Sequence, residues 1–274
     1  MTSDNHRPTA RILDILEALA ESENGYTLTE IADVINAPKS SIFPIVHTLN
    51  ARKYITIDKN TSKYSIGIRS YTLGSSFFEK RTIFNYIIDE MTNIVNSCSE
   101  TCQLGILDNN EVLYIGKVDS PEPIRLISYV GKKIPANCTG LGKALLCDFD
   151  KEKLISLYPD GLKGFTEKSI TDFDVLYDQL LEVQRTQIAS ECEESMEHLK
   201  CLAVPIRKNG CIRAAVSVTL PLFRANDEKI ELIKKLLLNA QKNIQSMMEE
   251  RNEDIVINSV SYTHLRAHET GRNL

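Results

Sequence analysis

The sequence predicts an α+β protein built from two dissimilar parts. Up to about residue 67, three segments repeat apolar residues at helical spacing, and a short alternating segment follows them. Between residues 101 and 221, several segments alternate apolar and polar residues, and two of them are joined by Asn-Gly, a strong hairpin signal. A small helical domain with a hairpin is therefore expected before a mixed, mainly antiparallel sheet flanked by helices.

The composition is that of a globular protein. Of 274 residues, 42% are hydrophobic and 25% are charged, which suffices for full cores and is unlike a disordered chain. No apolar run approaches the roughly 18 residues of a membrane span, and the N-terminus lacks the layout of a secretory signal. The seven cysteines are irregularly spaced and contain no CxxC pair, which argues against disulfides or a zinc ribbon. We expect a cytoplasmic protein with no membrane association and no cofactor.

The charge is unevenly distributed along the chain. The net charge of −5 argues against a protein coated with nucleic acid. The first 80 residues, however, carry nine basic and nine acidic side chains, so the excess negative charge lies in the remainder. A neutral N-terminal segment can bind DNA if its cations share one face.

The N-terminal segment opens with two predicted helices. Within RILDILEALA, an apolar stripe at helical spacing consists of Ile12, Ile15, Leu16 and Leu19. After the turn SENGY, Thr27 or Thr29 can cap a second helix, and Glu30 follows Thr27 at the spacing of a capping box. The predicted apolar face of this second helix consists of Ile31, Val34 and Ile35.

A third helix and a hairpin complete this domain. After the short break NAPK, the segment SSIFPIVHTLNARKY contains a helical stripe of Ile42, Ile45, Val46 and Leu49. Two short helices joined by so short a turn form a helix-turn-helix, whose second helix enters the DNA major groove. The segment YITIDKNTSKYSIG alternates around the turn DKNTS and predicts a two-stranded wing. Residues 8–67 are therefore predicted to form a winged helix-turn-helix.

Pro44 lies inside the predicted groove-reading helix. Proline removes a backbone hydrogen bond and costs about 3 kcal/mol in a helix interior, but little in the first turn. We expect the helix to begin between Pro38 and Ser41, which places Pro44 in the first turn or just past it. A late-starting or kinked helix, rather than a missing one, is predicted.

The rest of the chain predicts a linker helix over 68–81 and a second domain over 82–250. Its first helix has apolar positions at Ile83, Tyr86, Ile87, Met91, Ile94 and Val95. Strands are expected for TCQLGILD, EVLYIGKVD, IRLISYV, HLKCLAVPIRK and CIRAAVSVTL. Helices are expected for GLGKALLCDF, DKEKLISLY, residues 172–187 and residues 226–251. Residues 259–274, which include His264 and His268, resemble translated vector sequence and predict neither fold nor metal site.

These segments together resemble the IclR family of transcriptional regulators over nearly all of residues 8–250. The resemblance is carried by RILDILEAL, LTEIADVINAPKSSI, YSIGIRSYTLG, IPANCTGLGKALL, the segment around ECEES, and CLAVPI followed by AAVSVTLP. It implies a winged-helix DNA-binding domain and a GAF-like effector domain. It also implies a homodimer or tetramer that binds palindromic double-stranded operator DNA and a small-molecule effector, often an organic or aromatic acid.

The candidate DNA contacts cluster on the third helix and the wing. Serine hydroxyls and helix N-terminal amides suit phosphate oxygens, and lysine adds a sequence-independent attraction. The candidates on the helix are Lys39, Ser40, Ser41, Phe43 and His47, and those at its end and in the wing are Arg52, Lys53, Lys59 and Lys63. An ordinary solvated surface is the alternative. Family members commonly carry arginine in place of Pro44, so one expected contact is missing.

The candidate effector site begins at a glycine-rich segment. Thr139 and Gly140 precede a helix that starts near Leu141, and free amides at such a start suit a carboxylate. A turn that merely caps the helix is the alternative. By the resemblance, the pocket is completed by Glu191, Leu199, Cys201, Ser217 and Thr219, with Leu126 and Ile134 as its apolar wall. His198 replaces the usual glycine and leaves the local loop shape open.

Three other functions are considered. An enzyme lacks support, because no nucleophile, base and orienting group can be named and only His6, His47 and His198 precede the C-terminal segment. The second domain could serve dimerisation alone. Cys138, Cys192 and Cys201 could converge as a metal or redox site. The sequence leaves open the effector, the operator, and whether transcription is repressed or activated.

Overall fold

The computed structural model describes residues 6–79 and 82–255. Its contacts divide the chain into two compact units, one within residues 1–80 and one within residues 81–274. Residues 259–274, with His264 and His268, lie outside the described ranges. Among the helices of these ranges, none combines the length and hydrophobicity needed to cross a bilayer.

The N-terminal unit is a winged helix-turn-helix, as predicted. Its elements are α1 (Arg7–Glu21), α2 (Leu28–Val34), α3 (Lys39–Ala51), β1 (Ile55–Ile57), β2 (Tyr64–Ile66) and α4 (Ile68–Glu79). The two strands pair antiparallel and form the predicted wing. One apolar cluster joins α1, α2, α3 and the wing and includes Ile15, Leu19, Ile31, Ile42, Val46, Leu49 and Ile55. The helical stripes of α1 and α3 therefore meet in a common core.

The second helix confirms the capping box and corrects its apolar face. Thr27 Oγ1 accepts the Glu30 amide at 3.3 Å, and Glu30 Oε2 accepts the Thr27 amide at 2.7 Å. Val34 is 55% exposed, so its assignment to the core is wrong. The helix ends at Val34, and Ala32 contributes to the core instead.

The third helix accommodates Pro44 without interruption. It begins at Lys39, inside the predicted interval, so Pro44 is its sixth residue and lies just past the first turn. The helix continues to Ala51, and the predicted late start is not observed. Proline withdraws an amide from the carbonyl of Ser40, which is an exposed residue where water can replace the lost hydrogen bond.

The C-terminal unit is built on a six-stranded antiparallel sheet. Its strands are β3 (Thr101–Asp108), β4 (Glu111–Val118), β5 (Lys133–Pro135), β6 (Ala189–Cys192), β7 (Leu199–Lys208) and β8 (Cys211–Pro221), in the order β5-β4-β3-β8-β7-β6. Its helices are α5 (Thr82–Cys98), α6 (Gly140–Leu146), α7 (Lys151–Leu157), α8 (Phe173–Thr186) and α9 (Asp227–Glu250). The Asn-Gly hairpin between β7 and β8 is confirmed, with Asn209 and Gly210 both at positive φ.

Two edges of this sheet differ from prediction. The segment IRLISYV was expected to be a strand, but residues 124–130 have no regular structure. The shorter β5 pairs with β4 instead, and Ile127 is 85% exposed. The opposite edge is β6, four residues that sequence reasoning did not identify as a strand. Edge strands bury less of their surface, so their apolar pattern is weaker than that of central strands.

Helices cover both faces of the sheet. The apolar residues of α6, α7 and α8 pack together on one side, in a cluster that includes Leu141, Leu145, Leu154, Leu176 and Leu180. Ala203 of β7 and Ala215 of β8 belong to the same cluster and show which sheet face it covers. The long helix α9 packs against α5 and β7.

Candidate DNA-binding and effector-binding sites

The exposed face of α3 carries most of the predicted DNA contacts. Ile42, Val46 and Leu49 are buried, which turns the opposite face of the helix to solvent. Phe43 and His47, one turn apart, are both exposed, and their ring centroids lie 6.4 Å apart. An exposed aromatic pair of this kind can contact base edges and thymine methyl groups in a groove.

The polar candidates of this unit differ in their availability. Lys39 and Ser40 are exposed at the start of α3, whereas Ser41 is half-buried and its hydroxyl donates to the carbonyl of Pro38 at 2.6 Å. The Ser41 hydroxyl would have to leave this carbonyl to donate to a phosphate, whereas that of Ser40 is exposed. Arg52 and Lys59 are exposed at the end of α3 and in the wing turn. Lys63 is half-buried in the wing.

In the second unit, the start of α6 lies against the sheet. Thr139 caps this helix, its Oγ1 accepting the Gly142 amide at 3.1 Å. A Cβ atom on Gly140 would lie 2.9 Å from the Cys201 sulfur, so the first turn touches β7 directly. Because α6 has only seven residues and one of its amides is already capped, the helix start alone does not make an anion site.

The strand register brings the remaining polar candidates together. Glu191, Cys201 and Thr219 are consecutive cross-strand neighbours on β6, β7 and β8. Ser217 lies two residues from Thr219 and therefore on the same sheet face. Its hydroxyl is fully buried and has no oxygen or nitrogen partner among the described residues. The predicted residues thus form a buried polar row, here defined as Glu191, Cys201, Thr219 and Ser217.

Sequence reasoning missed Gln103, which extends this row. It is buried on β3 directly opposite Ser217. Its Oε1 accepts the Thr219 hydroxyl at 3.3 Å, and its Nε2 donates to the Ser128 hydroxyl at 2.8 Å. The available signal was a glutamine inside an otherwise apolar strand, where a buried amide needs partners.

The three residues predicted to form the apolar wall of the pocket lie in different environments. Ile134 lies on β5 and packs against the cluster formed by α6, α7 and α8. Leu126 is half-buried in the irregular segment 124–130, and Leu199 is half-buried at the start of β7. The structure therefore places Ile134 against the core as a half-buried residue, and Leu126 and Leu199 at partly open positions.

A buried lysine beside this row was not predicted. The Nζ of Lys143 on α6 donates to Glu194 Oε1 at 2.6 Å, to Gln179 Oε1 at 2.7 Å and to the Ser190 carbonyl at 3.2 Å. Glu194 in turn donates its amide to Glu191 Oε2 at 3.0 Å. This network borders a cavity of about 320 Å³ between α8 and β6. The signal in the sequence was the single lysine within the apolar helix GLGKALL.

Two of the three cysteines considered for a redox or metal site are buried thiols. Burial raises the pKa of the Cys138 and Cys201 thiols to about 12, which keeps both protonated at neutral pH. Within residues 6–79 and 82–255, no three His, Cys, Asp or Glu side chains converge as metal ligands. A protonated, buried thiol acts mainly as a small apolar side chain.

Glu191 is expected to make stability depend on pH near neutrality. Burial raises the pKa of its carboxyl to about 7, from 4.5, and the nearby Glu194 carboxylate adds to the rise. The folded state therefore binds this proton more tightly than the unfolded state. The stabilisation is complete below pH 4.5 and is lost as the pH rises through 7.

Glu191→Gln should remove this pH dependence. We expect the free energy of unfolding of the native protein to fall, relative to that of the variant, by roughly 1 to 3 kcal/mol between pH 5 and pH 8. Urea unfolding of both proteins across that range measures the difference. Parallel curves for the two proteins would contradict the raised pKa.

The two units together define a class of protein. A winged helix-turn-helix, followed by a sheet domain with a buried polar row, is the architecture of a DNA-binding transcriptional regulator. Residues 8–59 match the model of the IclR helix-turn-helix domain, and residues 76–246 match that of the bacterial transcriptional regulator IclR C-terminal domain. The chain belongs to the IclR family of transcriptional regulators.

Individual relatives agree with this assignment. The HTH-type transcriptional regulator KdgR of Escherichia coli (strain K12) is 27% identical over 248 residues, which cover 89% of this chain and 94% of KdgR. The IclR transcriptional regulator from Alicyclobacillus acidocaldarius has the same fold, with a TM-score of 0.81 at 22% identity, covering 88% of this chain and 98% of that one. An IclR homologue from Microbacterium hydrocarbonoxydans, solved with 4-hydroxybenzoate, has a TM-score of 0.75 at 21% identity, covering 89% and 99%.

Proposed function

We propose that this regulator binds a palindromic operator as a homodimer or tetramer and that a small organic acid in its second domain changes its DNA affinity. In this proposal residues 8–67 bind DNA, residues 68–81 form the linker helix, and residues 82–250 bind the effector and oligomerise. The observation that carries the effector site is the buried hydroxyl of Ser217 within the polar row, which has no oxygen or nitrogen partner among the described residues and only the Cys201 thiol beside it. A buried polar group without a partner is costly, and a ligand oxygen would satisfy it.

The chemistry of the row favours an organic acid. Ser217 offers a hydroxyl donor, and the Gln103 amide keeps a second N–H beside the one that it donates to Ser128. The Thr219 hydroxyl, by contrast, already donates to Gln103. The Glu191 carboxyl, with its pKa raised to about 7, can take up a proton and then does not repel an anion. Neutral donors suit a carboxylate in a buried site, because its oxygens accept several hydrogen bonds. The relative solved with 4-hydroxybenzoate supports an effector of this class.

The effector site can be tested on the full chain. A panel of aliphatic and aromatic carboxylic acids should contain a ligand that raises the melting temperature and changes affinity for the DNA beside the protein's own gene. Ser217→Ala should weaken that ligand about threefold to tenfold, the size of one hydrogen bond. The matched control is Ser190→Ala, an exposed serine on the same sheet.

Two results would favour other functions. If the protein binds DNA but no compound of the panel shifts its melting, the second domain serves dimerisation alone. If Ser190→Ala weakens the ligand as much as Ser217→Ala, the ligand does not lie on the polar row. Multiple turnover of a panel compound would instead support an enzyme.

Pro44 provides a test of the DNA-reading face. Family members commonly carry arginine at this position, and Pro44 is exposed on α3. Pro44→Arg should tighten binding to the protein's operator by about tenfold, because a guanidinium adds a charge-assisted contact. Pro44→Ala controls for the relief of the backbone and should leave DNA affinity within about twofold of the native value. Equal affinities of the arginine and alanine variants, measured by fluorescence anisotropy, would refute a contact at this position.

A further inference from the structure

The charges of the N-terminal unit are segregated. Residues 6–33, which form α1 and α2, contain two basic and six acidic side chains. Residues 34–75 contain six basic side chains and one acidic side chain, Asp58. The Asp58 carboxylate accepts the amides of Asn60 and Thr61 within the wing turn. The unit is therefore neutral as a whole but strongly basic over α3, the wing and α4.

Three of these cations surround one cleft. The cleft lies between the end of α3 and the start of α4, has a volume of about 760 Å³, and is lined by Arg52, Lys53 and Arg69 together with Tyr54, Ile68 and Thr72. Among the described residues, no acidic side chain lines this cleft. Within the part of the chain that the structure describes, Arg52, Lys53 and Arg69 make no ion pair. We call the cleft that these three side chains line the basic cleft.

Backbone hydrogen bonds fix the start of α4 beside the end of α3, and these two segments form the two sides of the basic cleft. The Arg69 amide donates to the Lys53 carbonyl at 3.0 Å, and the Gly67 amide donates to the Tyr54 carbonyl at 2.8 Å. The Ser70 hydroxyl also donates to the Tyr54 carbonyl, at 2.9 Å. A Cβ atom on Gly67 would lie 2.4 Å from the Lys53 carbonyl oxygen, so this approach requires glycine. Residues sixteen positions apart are thus fixed as neighbours.

Such an arrangement is suited to an anion. Three like charges held close together repel one another, and a dianion or a backbone phosphate between them relieves that repulsion. Two guanidinium groups can hydrogen-bond phosphate oxygens in pairs, whereas a lysine acts as a point charge. Because the cleft opens to solvent and is continuous with the end of α3, it can receive a phosphate on a large polymer.

We propose that Arg52, Lys53 and Arg69 bind a backbone phosphate of double-stranded DNA, in addition to the contacts made by the exposed face of α3 and the wing. This inference rests on the proposed DNA-binding function and adds Arg69 and a second anchoring point to it. A phosphate contact positions the protein on the duplex and carries no base specificity. It therefore contributes equally to binding of operator and of unrelated DNA.

The test compares salt dependence in full-length variants. Arg69→Gln should lower the slope of log affinity against log salt concentration by about 0.9, the value of one released counterion. The loss should be the same for the DNA beside the protein's own gene and for a duplex of unrelated sequence. Arg69→Lys should restore most of the slope. Arg11→Gln, which removes the same charge from α1, should leave the slope unchanged.

Each outcome has a defined meaning. If the native protein binds neither duplex in a salt-dependent manner, the proposed DNA-binding function fails. If the native slope is steep and Arg69→Gln keeps it, or if Arg11→Gln lowers it equally, only the basic cleft is refuted.

A second measurement, with inorganic phosphate, distinguishes binding of a free anion from binding of DNA. If phosphate raises the melting temperature of the native protein but not of Arg69→Gln, and the DNA slopes are equal, the cleft binds a free anion instead. Unchanged melting temperatures of the variants without ligand confirm that they are folded.

Discussion

Gly142→Ala is expected to lower the free energy of unfolding of the C-terminal unit by about 3 kcal/mol or more. Gly142 lies in the first turn of α6, and a Cβ atom there would lie 1.9 Å from the Ala136 carbonyl oxygen and 2.4 Å from the Ala136 Cα. These are backbone atoms of the segment that leads into the helix, so no side-chain rotation can relieve the clash. Urea unfolding followed by circular dichroism measures the loss.

The control for this prediction lies in the same helix. Gly140→Ala brings its Cβ to 2.9 Å from the Cys201 sulfur, a side-chain atom that can move. We expect a loss of about 1 kcal/mol for this variant, clearly smaller than that for Gly142→Ala. Helix propensity favours alanine in both variants, so equal losses would show that the contact with Ala136 does not determine the effect.

Lys143→Met is expected to destabilise the same unit by about 3 to 5 kcal/mol. Lys143 is fully buried, and its Nζ donates to Glu194, Gln179 and a backbone carbonyl. Methionine fills a similar volume but leaves the Glu194 carboxylate buried without its cation. The cost arises from that unpaired charge and not from lost packing.

A second variant separates charge from packing in this network. Lys143→Met combined with Glu194→Gln removes both charges, and we expect it to recover about half of the stability lost in Lys143→Met. A double variant as unstable as Lys143→Met would contradict the explanation by unpaired charge. Chemical unfolding of native protein, both single variants and the double variant completes the thermodynamic cycle.

Both large effects concern α6, and they explain why this short helix is important for the proposed effector site. Gly140 and Gly142 allow α6 to approach β7 and the preceding loop closely, while Lys143 ties the helix to Glu194 and the carbonyl of Ser190 beside β6. The polar row lies on the sheet face that α6 covers. Positioning of α6 therefore fixes one side of the proposed pocket, although the helix start does not itself bind an anion.

The N-terminal unit was largely predictable from local patterns. Helical stripes, the capping box of Thr27 and Glu30, and the alternation around DKNTS each depend on residues close in sequence. The errors occurred where a local pattern was ambiguous. Val34 fits an apolar stripe, but the helix ends there and turns it to solvent. Pro44 favoured a late start or a kink, yet α3 begins at Lys39 and continues to Ala51, and the exposed carbonyl of Ser40 can be hydrated.

The sequence by itself determined the family, the fold class and the residue types available for binding DNA and a small molecule. It did so because periodicity, caps and turns are encoded locally and because motif order is specific. The tertiary structure decided which distant side chains meet. Strand pairing places Gln103 opposite Ser217, whose hydroxyl finds no oxygen or nitrogen partner among the described residues. It also leaves IRLISYV outside the sheet. The close approach of Gly67 to Lys53 likewise forms the basic cleft. Contacts between residues far apart in the chain depend on packing, which no local pattern specifies.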